Sequence, residues 1–153
     1  MKKITVSLFF FLSITLLFSS LPHSVHGVVL LPDGETAPSK EEFDYAAYIT
    51  LRPEEVRYLG DFGNGYFGEH GFILQVGNFP TMWTAGEYIH FDFMIDDEIR
   101  GSAEIQITNA GLDKFPEPII LKSKAELEAE KEQEKKQEKE QDKDIDKEEA
   151  EDN

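Results

Sequence analysis

An all-β sandwich is the fold class this sequence predicts, on three observations. Between residues 45 and 121, short runs of alternating apolar and polar residues recur, separated by clusters of Gly, Pro, Asn and Asp. No stretch in that span carries the 3.6-residue apolar period of an amphipathic helix. The run Gly71–Thr108 holds three of the strand patterns around the one tryptophan of the chain, so any packed core forms there.

The start of the chain is set apart from that domain. Met1-Lys2-Lys3 is basic, Ile4–Phe18 is an apolar run broken only by Ser and Thr, and Val25-His26-Gly27 has the small residues of a cleavage site. This three-part pattern predicts a secretory signal peptide over residues 1–27, cut after Gly27. Its apolar stretch is shorter than the roughly 20 residues a membrane span needs, so no membrane insertion is expected after cleavage. The expected localisation is export, to an extracellular or periplasmic space. The chain has no cysteine, which excludes disulfides, thiolate metal sites and a lipid-anchored start.

Residues 28–44 are expected to form a linker: a short apolar run, the turn tripeptide Pro32-Asp33-Gly34, and a polar stretch containing Pro38. The domain proper is placed at residues 45–121. Its first strand is Tyr45–Leu51, with Ile49 on the buried face, and Arg52-Pro53 stops it because proline cannot donate to a ladder. Glu54–Leu59 is a brief extended piece. Gly60–Gly71 (GDFGNGYFGEHG) reads as a loop, with glycines at 60, 63, 65, 68 and 71 between Phe62, Tyr66 and Phe67.

The second strand, Gly71–Gly77, is nearly continuous in apolar residues, including Leu74 and Val76, and is expected to be covered on both faces. Asn78–Thr84 crosses over. Tyr88–Ile95 then alternates, with Ile89, Phe91 and Phe93 inward. Asp96–Gly101 makes a hairpin turn, and Ser102–Thr108 returns with Ile105 and Ile107 inward. Ile119–Leu121, preceded by two prolines, is an edge strand. Trp83 is assigned to the core with these residues, as a lone Trp in a small sandwich usually is.

From residue 122 to 153 the sequence is a low-complexity tail of Glu, Lys and Gln. Ser123 and Glu126 have the spacing of a capping box, so a helix can start there. Beyond it the lysines recur every four residues and repel, while opposite charges meet mainly at three-residue spacing. The tail is expected to be partly helical or disordered.

Between Val28 and Leu121 there are 17 Asp and Glu against five Lys and Arg, a net charge of −12. Such a surface argues against nucleic acid and anionic lipid as partners, since both need a basic face. Two binding chemistries fit better. Phe62, Tyr66, Phe67 and Phe79 are candidates for an aromatic surface that binds a protein or a polysaccharide, because loops at the ends of sandwiches carry function. Asp61, Asn64, Asp96, Asp97 and Glu98 are oxygen donors of the kind calcium takes, although their spacing is not that of an EF-hand. His70 and His90 have no paired spacing for a transition metal. No Cys nucleophile, no G-x-S-x-G and no Ser-His-Asp set stands out, and carboxylate pairs are too common in an acidic chain to single out. No catalysis and no obligatory cofactor are expected, Ca²⁺ being the one candidate ion.

The run Gln75–Glu87 (QVGNFPTMWTAGE), the strand after it, and Gly101–Gly111 (GSAEIQITNAG) resemble a bacterial extracellular immunoglobulin-like repeat. Ala47–Glu54 is similar to that repeat's opening strand, and Trp83-x-x-Gly86-Glu87 resembles prealbumin-like modules. The resemblance covers about Tyr45–Leu121. It implies a small immunoglobulin-like sandwich in a secreted protein, used as a spacer or non-catalytic binding module. An accessory domain of a hydrolase is the further alternative.

Overall fold

The computed structural model describes residues 22–133 and 135–137. Residues 1–21, with most of the expected leader, and the tail from 138 onward lie outside the described residues. What is described is mostly β, in two sheets.

Nine strands follow one another: β1 (Ser24–Leu30), β2 (Phe43–Ile49), β3 (Arg52–Tyr58), β4 (Gly65–Phe67), β5 (Gly71–Gln75), β6 (Tyr88–Ile95), β7 (Glu98–Gln106), β8 (Leu112–Lys114) and β9 (Ile119–Ile120). One sheet runs β4-β5-β1-β8, with β9 on the far half of β1; the other runs β3-β2-β6-β7. The pairs are antiparallel except that β8 and β9 lie parallel to β1. β2–β3, β4–β5 and β6–β7 are hairpins, and the chain changes sheet between them.

Period-two patterning puts one face of each strand into the space between the sheets. Val25, Val29, Phe72 and Leu74 come from one sheet and Tyr45, Ala47, Ile49, Ile89, Phe91 and Phe93 from the other. Phe72 is the contact across the layers, 5.3 Å from the Phe91 ring and 5.2 Å from Phe93, while Phe91 and Phe93 stack at 5.6 Å. Tyr45 is fully buried yet satisfied, its hydroxyl donating to the Ile73 carbonyl at 2.8 Å. Burial, with Asp44 and Asp61 adding to it, raises the pKa of that phenol. Ile49, Leu74, Val76, Ile89, Phe91, Phe93 and Ile107 all occupy the core as patterning requires.

The structure departs from the sequence expectation in several places. β1 spans the boundary placed after Gly27 and takes in residues 28–30 of the supposed linker. Its alternation of Val25, Gly27 and Val29 is that of a central strand, and Gly27 is required: a Cβ there would stand 2.4 Å from the Phe72 ring. Trp83 and Ile105 are packed against the core but only half buried. The first strand does end before Arg52-Pro53, at Ile49, but Pro53 itself lies in β3, an edge strand, where its missing N–H costs nothing. β5 is covered on one face, not two, with Phe72 and Leu74 in and Ile73 half exposed.

Turns follow local chemistry. The β6–β7 hairpin turns on Asp96 and Asp97, both left-handed (φ 51° and 62°), as a two-residue turn of this hand requires. The capping box forms as its spacing demands: the Glu126 carboxylate accepts from the Ser123 N–H and hydroxyl at 2.7 Å, and the Glu126 N–H donates back to Ser123 Oγ. A helix follows from residue 124.

Candidate functional site

The outward faces of β1 and β8 lie side by side because the strands pair in register, His26 opposite Lys114 and Ser24 opposite Leu112. With Asp113 turned inward, alternation leaves Leu112 and Lys114 facing out beside His26 and Val28. The tip of the β4–β5 hairpin, residues 67–71, rises next to them. It can turn so tightly because Gly68 is left-handed (φ 67°) and Gly71 has no Cβ to strike the Phe67 carbonyl, which would be 2.3 Å away. Phe67 then leans over His26, ring centres 4.7 Å apart.

The result is a groove of ≈ 540 Å³ lined by His26, Val28, Phe67, His70, Leu112 and Lys114 among others, and mostly apolar in surface. Phe67 (57 % exposed) and Leu112 (49 %) are its free apolar groups. Partial burial first, and the Lys114 ammonium second, lower the pKa of His26, so its imidazole is neutral at pH 7. Glu69 and His70 add polar atoms at the rim.

The aromatic candidates do not act together. Phe67 lines the groove. Tyr66 is tied down, its hydroxyl donating to the Lys40 and Phe43 carbonyls with Lys40 Nζ over its ring at 5.2 Å. Phe62 is 90 % exposed, outside the groove lining. Phe79 is not on the surface: at 6 % exposure it belongs to the core, because the 3-10 turn Val76–Asn78 directs it inward as the chain changes sheet.

The oxygen donors are also separated and already engaged. Asp61 Oδ2 accepts from the Tyr58 N–H at 3.0 Å, and Asn64 bonds the Tyr58 carbonyl and the Gln75 N–H. Asp96 and Asp97 make the β6–β7 turn, and Glu98 faces Arg100 and Lys131. Among the described residues no three His, Asp or Glu side chains are arranged to hold a metal ion. His70 is in the groove rim, whereas His90 lies on the outer face of the other sheet, between Asp92 and Glu104 at 3.1 and 3.2 Å and stacked on Tyr48.

One constellation that no sequence pattern signals is polar and buried. His23 Nε2 meets Asp113 Oδ2 at 2.8 Å, and the other Asp113 lone pairs take the Thr108 N–H and hydroxyl. Burial is the largest single influence on the Asp113 carboxyl and pushes it up, but the two Thr108 bonds and His23 together outweigh it and hold its pKa low. Trp83 covers His23 at 4.6 Å. An Asp–His pair can orient a general base, but here His23 is 1 % exposed and cannot reach a substrate. It fastens the start of β1 to β8 and, through Asp113, to Thr108 in the connection before it.

His26, Leu112 and Lys114 went unnoticed for a traceable reason. The first falls within the leader pattern, and β8 is three residues long after a glycine. The available signal was Leu112-Asp113-Lys114-Phe115, an alternation too short to outweigh its turn-like surroundings.

No family model, no curated protein and no solved structure matches the chain. Among the described residues no helix is long and apolar enough to cross a membrane.

Proposed function

We propose that this chain is an exported, non-catalytic binding module with an immunoglobulin-like β-sandwich, and that it holds its partner in the groove over β1 and β8. The observation that carries this reading is the pairing of Phe67 and Leu112, two half-exposed apolar side chains facing one groove on an otherwise strongly acidic surface. Two sheets of short, mainly antiparallel strands support the sandwich. The basic start and the apolar run of residues 1–18 support export.

A protein segment suits the groove better than a polysaccharide. Sugar hydroxyls need a polar lining, and this one is mostly apolar with neutral His26 in it. The test is selection of binders from a random displayed peptide library, with a glycan array run in parallel. Binding of selected peptides is expected to weaken at least about tenfold in Phe67→Ala/Leu112→Ser, the size expected when buried apolar contacts of about 1.4 kcal/mol are lost. Peptides that bind the double variant as well as the parent would move the site elsewhere, and glycan binding in place of peptide binding would change the partner class.

A further inference from the structure

β7 contains a bulge. Phe93 pairs with Gly101 and Met94 with Ile99, so Arg100 stands opposite no residue. Bulges re-aim the residue they insert. The Arg100 carbonyl takes the Lys122 N–H at 2.7 Å, and Arg100 is among the residues lining a cleft of ≈ 350 Å³ between β7, β9 and the C-terminal helix. Ile99, Ile120 and Leu127 are among its large apolar lining residues, and Arg100 and Lys122 are its cationic ones.

The arginines of the domain are not equally served. Arg52 donates to both oxygens of Glu87, and Arg57 donates to the Asn78 carbonyl. Nε is buried without a partner in all three, but Arg100 alone makes no side-chain hydrogen bond among the described residues and leaves Nη1 buried and unpartnered as well. Its side chain is only 12 % exposed, and the Glu98 carboxylate that pairs with it stands off at 3.7 Å from Nη1. Lys131 draws on the same carboxylate at 3.8 Å, and Lys122 is held by Glu130 at 2.7 Å. A desolvated guanidinium with donors unused is costly to keep, and its fork matches a planar oxyanion.

We propose that this cleft binds a carboxylate attached to an apolar group. Arg100 takes the carboxylate, with Lys122 beside it, and the apolar group lies on Ile99, Ile120 and Leu127. Glu98 and Glu130 already offset part of the positive charge, and the whole chain carries −16, so a monoanion with apolar surface fits where a dianion would be repelled. A small organic acid and the carboxy terminus of a peptide share this chemistry.

The test follows the arginine Nε–H resonances of the ¹⁵N-labelled full chain during titration with hexanoate, with acetyl-glycyl-leucine, with its carboxy-terminal amide, and with inorganic phosphate. The Arg100 resonance is expected to move and saturate with the two free acids while those of Arg52 and Arg57 stay in place, and the amide is expected to do nothing. The tighter of the two acids identifies the source. Arg100→Lys should weaken binding about tenfold, because the fork is lost while the charge is kept. Glu98→Gln should tighten it several-fold by removing the resident competitor. Arg100→Met should leave the melting temperature unchanged or raise it, since it removes an under-served buried charge. An Arg100 resonance unmoved at about 20 mM acid, beyond any useful affinity, overturns the proposal. So does an equal response to phosphate or amide, or a lowered melting temperature in Arg100→Met, which would make the guanidinium a structural strut.

Discussion

Beginning the chain at Val28, where the leader pattern places its cut, should abolish the fold, whereas beginning it at Pro22 should not. The loss can be worked from the contacts. Val25, 0 % exposed, leaves the core, worth about 1.5–3 kcal/mol. Three backbone bonds go with it: Ser24 N–H to Gly111, Val76 N–H to His23, and Phe115 N–H to His26. Each contributes about 0.5–1.5 kcal/mol net. Asp113 loses His23 and stays buried, at a further cost of about 1–3 kcal/mol. The total, roughly 4–10 kcal/mol, is comparable to the entire stability of a small domain. Four of the five residue pairs joining β1 to β5, and all three joining it to β8, would also be gone, leaving the first sheet in two pieces. Thermal unfolding followed by near-ultraviolet circular dichroism decides the matter: a cooperative transition is expected for the chain from Pro22 and none for the chain from Val28. Equal melting of the two would refute the reasoning. The corollary for an exported product is an amino terminus at or before Pro22, read directly by intact-mass measurement; a folded product starting at Val28 would contradict it.

Three substitutions and a calcium titration have further expected outcomes. Gly27→Ala puts a Cβ 2.4 Å from Phe72 Cε1 and 3.1 Å from Phe115, and should cost about 1–3 kcal/mol in denaturant unfolding. Asp113→Asn should cost about 1–3 kcal/mol at neutral pH through its weakened bonds to His23 and Thr108. Because the folded-state pKa of Asp113 is depressed, its contribution is full above the usual carboxylate value of 3.8 and is lost as pH falls through the folded value; the parent should therefore converge on the Asn variant in acid melts. Asp97→Gly, at φ 62°, should raise stability by about 1 kcal/mol by relieving a left-handed Asp, and millimolar Ca²⁺ should leave the melting temperature of both chains unmoved.

The central hairpins were legible because period-two patterning is enough to orient a strand with one wet face. Ile89, Phe91 and Phe93 inward against His90 and Asp92 outward needs no knowledge of the partner strand. Phe62 and Phe79 show where that reasoning stops. Both are phenylalanines in glycine- or proline-rich connections, and whether such a ring ends 90 % or 6 % exposed depends on where the chain changes sheet, which local pattern does not encode. β1 is the deeper case, since one set of residues satisfies two different demands. Val25-x-Gly27 offers small side chains of the kind a leader cut needs, and the same smallness is what Phe72 and Leu74 need from the strand lying against them. Only the long-range pairing tells the two apart, and His23, sealed under Trp83 and bonded to an aspartate ninety positions away, is the residue that sides with the fold. The groove inherits that ambiguity: its floor is β1 and β8, so a reading that gave Ser24–Gly27 to the leader could find the Phe67 wall but not the site it encloses.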